Sequence, residues 1–253
     1  MDLSDFDCMI RELLNIDAID PSDSALNGLQ VERSKSDIEK VAFAVDASME
    51  SFKRAKDFGS DLLFVHHGIF WGKPYKITGR LFKLVEFLLR NDMALYAVHL
   101  PLDMNEKYGN NIAIATKLGL KDITPFGEYH GLKIGFKGKL AEPLALADVE
   151  MRILEHGEKS LARLPFGKEK VETVGVVSGG APEVVSEAIK EGLDLFVTGD
   201  ASHTVYHEAL EAGINVIFAG HYATETWGVR SVKGYVEQAT DIETTFIDIP
   251  TGL

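Results

Sequence analysis

Leu3, Phe6, Ile10, Leu13 and Leu14 recur at helical spacing, so the chain is expected to open on an amphipathic helix over 3–14, with Cys8 off its apolar stripe. A turn-like Pro21–Ser24 and an Asn27-Gly28 turn lead into the short run Leu29-Gln30-Val31. Val41–Val45 is an unbroken apolar run of strand length. A helical stretch follows at about Met49–Phe58, stopped by Gly59, and a second buried strand is predicted at Leu62–Val65. A helix at about 81–90 and a strand at Ala94–Val98 continue the alternation. Strand and helix in turn imply a mainly parallel sheet with helices on its faces.

Beyond residue 120 the pattern changes. Leu132–Leu140 alternates like a strand and Leu146–Leu154 is helical in pattern, and this stretch reads as a small insert or cover. Alternation of apolar strand and helix resumes at Val174-Gly175-Val176-Val177. Adding 133 takes Val41 to Val174, Glu50 to Glu183, Ala55 to Ala188, Gly59 to Gly192, Asp61 to Asp194 and Leu62 to Leu195. Adding 122 takes Tyr96-Ala97-Val98-His99 onto Phe218-Ala219-Gly220-His221, and Asp103 onto Glu225. The expected architecture is therefore α/β, with two related lobes built on mainly parallel sheets. A first lobe spans 1–125, the insert 126–170 and the second lobe 171–253.

The 253 residues carry 26 Lys+Arg against 39 Asp+Glu, a net charge of −13. Residues 128–170 hold 8 basic and 7 acidic residues, a net of +1, which leaves −14 on the rest. Sequence-independent binding to a phosphate backbone needs a positive face, so nucleic acid is the partner this charge supports least. One cysteine excludes an intrachain disulfide framework and any multi-cysteine metal site. No apolar run reaches the length of a membrane span, and the acidic start is unlike a secretory signal. A soluble, cytoplasmic protein is expected.

The chemistry sits at predicted strand ends. His66-His67 closes Leu62–Val65, and His99 follows Ala94–Val98 with Asp103 four residues on. Asp200 lies just after Leu195–Thr198, and His221 follows Val216–Phe218 with Glu225 four residues on. Ligands of parallel sheets gather at the carboxyl ends of strands. Histidine with carboxylate suits zinc, iron, manganese or nickel, and carboxylates can bridge two ions. Adjacent histidines on a strand face opposite ways, but Gly68 lets the strand end turn both inward. Taken singly, each of these residues reads as a solvated or core-bonded side chain; it is the clustering that favours a metal. His130 and His156 read as surface histidines, His203 as pocket lining and His207 as structural. Ser178-Gly179-Gly180 reads equally as a phosphate cradle or a tight turn between strand and helix. Phe70 and Trp71 read equally as a stacking surface or as core.

These residues carry a resemblance. Asn27-Gly28-Leu29-Gln30-Val31-Glu32, Val65-His66-His67-Gly68, His99-Leu100-Pro101-Leu102-Asp103, Gly109-Asn110-Asn111, Ala219-Gly220-His221-Tyr222-Ala223-Thr224-Glu225 and Phe246-Ile247-Asp248-Ile249-Pro250 resemble, in order, the Nif-three-like family, whose members are often called GTP cyclohydrolase 1 type 2 homologs. The short middle section is similar to the compact form of the family, without its extra inserted domain. The resemblance implies a two-lobed α/β fold, a toroidal homohexamer and two divalent metal ions per chain facing an inner cavity. By motif, His66, His67, Asp103, His221 and Glu225 match the ligands, with Asp103 and Glu225 as the bridges and His99 near the site. Asp200-Ala201-Ser202-His203 departs from the family, where many members have Glu and often two adjacent histidines. Cys8 alone cannot reproduce the cysteine-ligated zinc of the ring-opening GTP cyclohydrolase. The resulting expectation is a metal-dependent hydrolase acting on a small nucleotide-like substrate through metal-activated water. A non-enzymatic metal-handling protein is the alternative, and a nucleic-acid-binding ring comes third.

Overall fold

The computed structural model describes residues 1–19, 23–154 and 159–253. The turn read at Pro21–Ser24 is thus described only from Asp23, and His156 lies outside the described residues. The chain divides into two compact units. The first comprises Met1–Tyr108 with Gly228–Ile249, the second Gly109–Trp227 with Pro250–Leu253.

In the first unit, α1 (Leu3–Leu14) starts where the Asp2 carboxylate accepts from the Ser4 amide and ends on Asn15, which takes a left-handed φ of 52°. It buries Leu3, Phe6, Ile10 and Leu14 and leaves Cys8 exposed. A short α2 (Ile16–Ile19) and β1 (Gly28–Val31) follow. Then come β2 (Lys40–Asp46), α3 (Met49–Phe58), β3 (Leu62–His67), α4 (Gly79–Arg90), β4 (Ala94–Ala97) and α5 (Leu100–Met104). Ser48 and Ser51 close a capping box at the start of α3, and Gly59, at φ 82°, ends it. The closing strand of this sheet, β11 (Glu243–Phe246), comes from the end of the chain.

The sheet order is β1-β4-β3-β2-β11, with β1–β4 antiparallel and the other pairings parallel. Its strands read as continuous apolar runs because both faces are covered. Val41, Phe43, Leu62, Phe64, Ala94 and Tyr96 pack on the side of α1, while Ala42, Ala44, Leu63, Val65, Leu95 and Ala97 pack with Phe52, Leu84 and Leu88 of α3 and α4. The two sets alternate along every strand, as the pleat requires.

The second unit contains α6 (Asn110–Leu118), β5 (Lys121–Tyr129), β6 (Leu132–Ala145), α7 (Leu146–Ile153), β7 (Ala162–Pro165) and β8 (Lys170–Val177). After a 3₁₀ turn at Pro182–Val184 come α8 (Val185–Lys190), β9 (Leu195–Thr198), α9 (Thr204–Ala212) and β10 (Asn215–Phe218). The last helix, α10 (His221–Ala239), begins in this unit and continues in the first. The sheet order is β5-β6-β8-β9-β10-β7. Its centre, β8-β9-β10, is parallel, and antiparallel strands flank it. The stretch read as an insert thus supplies strands on both sides of that parallel centre. Among the described residues, no helix is long and apolar enough to cross a membrane.

The internal repeat has a physical counterpart. Asp61 Oδ2 accepts from the amides of Glu39 and Lys40 at 2.8 and 3.0 Å. Asp194 Oδ2 accepts from those of Glu172 and Thr173, each 133 positions later, at 2.9 and 3.1 Å. The second register needs correction. Leu62 pairs with Ala94 and Leu195 with Asn215, so the strands correspond at 121 and the place of Tyr96 is taken by Ile217. A one-residue slip would turn every side chain to the other face, so packing decides the strand register. The histidines still match at 122 because Gly220, at φ 99°, is an extra residue between strand and helix.

Candidate metal centre

In the first unit the parallel strands deliver their donors at the carboxyl edge. His66 is fully buried at the end of β3, and its Nδ1–H donates to the Val98 carbonyl at 2.9 Å. Its Nε2 lies 3.6 Å from Oδ2 of Asp103, a buried carboxylate on α5. His67 pairs through Nδ1 with Asp46 Oδ1 at 2.9 Å, across neighbouring strands where the two residues are register partners. His99 makes the same contact with Asp23 Oδ1 at 2.9 Å. The backbone amide of His99 donates to Asn27 Oδ1 at 2.7 Å, which explains the asparagine of the Asn27-Gly28 turn. Asp23 also accepts from Asn27 Nδ2 and from the amides of Ala25 and Leu100. Burial opposes the charge on Asp23, but His99 and these donors outweigh it and hold the carboxyl at about 2.

The imidazole centroids lie 4.5 Å apart for His66 and His67, 5.2 Å for His66 and His99, and 5.8 Å for His67 and His99. One nitrogen of each lies within 4.8 Å of the others, close enough for the three to hold one ion. Both adjacent histidines do reach the same place. Gly68 follows because a β-carbon there would sit 2.6 Å from Gln30 Cδ. The Gln30 amide oxygen accepts from the backbone of Ile69 at 2.8 Å. Trp71 stands edge-on to His99, with centroids 4.9 Å apart, and Phe70 packs against the core.

In the second unit, His221 opens α10 and Glu225 lies one turn on, with Nε2 to Oε2 at 3.2 Å. His221 Nδ1 contacts Asp200 Oδ1 at 3.0 Å. Burial would lower the imidazole pKa, but Glu225 and Asp200 outweigh it and raise it to about 9. Ser178-Gly179-Gly180 is a tight turn shaped to these residues. Gly179 has φ 64°, and a β-carbon on it would overlap Glu225 Oε1 and lie 3.2 Å from His221 Nε2. Its amide donates to Thr224 Oγ1 at 3.0 Å, and its carbonyl accepts from Gly199 and Asp200. Asn111 holds the turn from below, accepting from the Ser178 amide at 2.6 Å and donating to the Ile134 carbonyl at 2.8 Å. His203 and His207 are exposed on α9 or at its start, and His130 is exposed at the tip of the β5–β6 hairpin.

The donor set fits divalent first-row metals. His66, His67, His99 and His221 each engage Nδ1 with a carbonyl or carboxylate, which fixes the tautomer and makes Nε2 the coordinating nitrogen. Asp23 and Asp46 were not singled out from sequence. Asp46 had a signal, since it ends the strand beside His67. Asp23 had none, lying 76 residues from the histidine it orients.

A sequence model of Duf34/NIF3 (NGG1p interacting factor 3) matches residues 1–252. The chain is 45% identical over 253 residues to the GTP cyclohydrolase 1 type 2 homolog of Archaeoglobus fulgidus, covering 100% of both chains. It is 41% identical over 286 residues to the protein of the same name from Treponema pallidum, again covering 100% of both. The crystal structure of TTHA1606 from Thermus thermophilus superposes with a TM-score of 0.91 at 39% identity, over 100% of each chain.

Proposed function

This chain belongs to the Duf34/NIF3 family, and from that premise we propose that it binds two divalent metal ions and is a metal-dependent hydrolase of small nucleotide-like substrates. The observation that carries the reading is the tethering of imidazole Nδ1 atoms. Asp46, Asp23, Asp200 and the Val98 carbonyl each hold one ring in the tautomer that coordinates through Nε2. One packed histidine also needs an acceptor for its ring N–H, so the support lies in the recurrence: four rings are all tethered at Nδ1, as metal-ligating histidines are. In this reading His66, His67, Asp103, His221 and Glu225 would hold the ions, Asp103 and Glu225 being the carboxylates able to bridge and His99 a neighbouring donor.

Two such ions, when bound, supply Lewis acidity and lower the pKa of water, the chemistry of two-metal hydrolysis. The chain's own residues do the rest. Asp23 and Asp46 keep the Nδ1 protons in place and fix the ring planes. Asp200 orients His221, which makes it a positioning residue. The Gly179 turn keeps space for the Glu225 carboxylate. The nucleotide-like substrate is suggested by the name of the relatives, GTP cyclohydrolase 1 type 2 homolog. The family resemblance also supports a homohexamer, in which the nearly neutral stretch 128–170 offers like-charged copies their contact of least repulsion.

Elemental analysis of purified protein should find about two ions per chain, and His66→Ala/Glu225→Ala should lose them; equal metal in both proteins would refute the site. A screen of phosphoesters, nucleotides and cyclic amides with several metals tests the reaction. Turnover abolished by Glu225→Ala supports a hydrolase, whereas full metal content with silence across the screen would favour metal handling. Light scattering should give about six times the 27.8 kDa chain. A particle of one chain mass would refute the hexamer.

A further inference from the structure

Trp71 stands against the histidine cluster. Phe43, Phe52, Phe64 and Tyr96 are fully buried, whereas Trp71 is half-buried with its ring 4.9 Å from His99 and 6.0 Å from His67. It is also fixed. Its indole N–H donates to the Gly68 carbonyl at 3.2 Å, which satisfies the polar edge within the chain. On its far side Gly72, at φ 68°, lies so close to Ser24 that a β-carbon would come within 2.8 Å of that carbonyl oxygen. The preceding Phe70 carbonyl accepts from the Leu26 amide at 3.1 Å. A rigid indole held partly open to solvent beside a histidine cluster is a surface on which a planar ring can stack.

The charge around it is equally distinct. Residues 62–85 contain Lys73, Lys76, Arg80 and Lys83 and no Asp or Glu, in a chain that carries 39 acidic residues in 253. Lys73 and Lys76 are exposed, two and five residues beyond the tryptophan. A backbone step spans at most about 3.6 Å per residue, so the Lys73 backbone lies within roughly 7 Å of that of Trp71. The carboxylates nearest the rings, Asp23 and Asp46, are each engaged by a histidine, and the exposed lysines beyond the indole offer an anion its positive charge.

We propose that Trp71 is the stacking platform for the base of a nucleoside monophosphate, with Lys73 and Lys76 drawing in its phosphate. The assignment rests on the hydrolase reading for its biological meaning, but its test does not. Guanosine 5′-monophosphate is the probe, with guanosine and ribose 5-phosphate as the ring-only and phosphate-only controls. In a Trp227→Phe background, where Trp71 is the only indole, the monophosphate should quench emission at lower concentration than guanosine, and ribose 5-phosphate should leave it unchanged. Trp71→Ala should weaken binding of the monophosphate, measured by calorimetry, about tenfold or more, equivalent to about 1.4 kcal/mol. Trp71→Phe should stay within about threefold. Lys73→Glu/Lys76→Glu should weaken the monophosphate and spare guanosine, which a merely structural loop would not do. Elemental analysis on the same samples separates the two readings, because Trp71→Ala should keep the wild-type metal content. Absence of quenching, equal quenching by ribose 5-phosphate, or unaltered affinity in Trp71→Ala overturns the platform whatever the metal content.

Discussion

Gly179→Ala probes whether the turn after β8 exists for the sake of the donors beside it. Two separate penalties arise from the added methyl. A left-handed φ of 64° costs an L-residue roughly 1–2 kcal/mol. The new carbon would also occupy the place of Glu225 Oε1 and lie 3.2 Å from His221 Nε2. The turn cannot easily retreat, because the Gly179 amide is bound to Thr224 and its carbonyl accepts from both Gly199 and Asp200. The Glu225 carboxylate is therefore the group that moves. Gly192→Ala supplies the control, since Gly192 has φ 68° and nothing within 4 Å of a β-carbon. It carries the backbone strain without the collision. At roughly 2–4 °C per kcal/mol for a chain of this size, both variants should lose roughly 2–8 °C in Tm by calorimetry. Only Gly179→Ala should also lose metal affinity, by about 10–100-fold in competition against a chromophoric chelator, the range found when a ligand loses its orientation. If Gly179→Ala binds metal as tightly as Gly192→Ala does, the turn is ordinary chain reversal and does not position Glu225 for a metal.

Asp46→Ala, which removes the acceptor of His67, and Asp23→Asn, which removes the charge beside His99, should each weaken metal binding about 10–100-fold by chelator competition while leaving the circular dichroism spectrum unchanged, because neither takes away a nitrogen or oxygen of the proposed ligand set. Asp194→Ala strands two backbone amides at the start of β8 and should cost roughly 1–3 kcal/mol by denaturant unfolding. Burial opposes the charge on Asp194, but Lys168 and those amides win and hold its carboxyl below the ordinary range. Its contribution is therefore complete above the unfolded carboxylate value near 3.8 and is lost as pH falls through the lower folded value, so the stability gap between wild type and Asp194→Ala should close in acid. Chelator treatment should lower Tm, since an ion bound only by the folded chain at one hundred times its Kd adds about 2.7 kcal/mol; an unchanged Tm would argue against a folded-state site.

Much of the scaffold was legible because each signal had a single physical meaning. The strands at 41–45 and 62–65 read as continuous apolar runs since both sheet faces are covered, and Gly59 and Gly192 stop helices through positive φ at equivalent places. The stretch 126–170 was harder. Its alternating pattern shows a strand but not its partner, and β6 proves to pair with β5 and β8 within the second sheet. The donors His66, His67, His99 and His221 were legible as histidines at strand ends. Their tethers were legible only when they too ended strands. Asp200, just past a strand, was singled out on that ground; Asp46 ends a strand and carried the same signal unread, whereas Asp23 is brought to His99 by a loop whose path no periodicity encodes.

The two halves use one scaffold to present donors differently, and the difference comes down to a glycine and a side-chain length. In the first, His99 directly precedes α5, and the short Asp103 side chain, four residues on, reaches His66 on the neighbouring strand rather than His99. In the second, Gly220 adds one residue after the strand and shifts His221 into the first position of α10. The longer Glu225 side chain then meets the histidine of its own helix at 3.2 Å. Two copies of one strand-helix unit thus yield one histidine-carboxylate pair formed between elements and another formed along a single helix. Deleting Gly220 would return His221 to the position of His99 and break the second pair, without touching the Asp194 latch that starts β8.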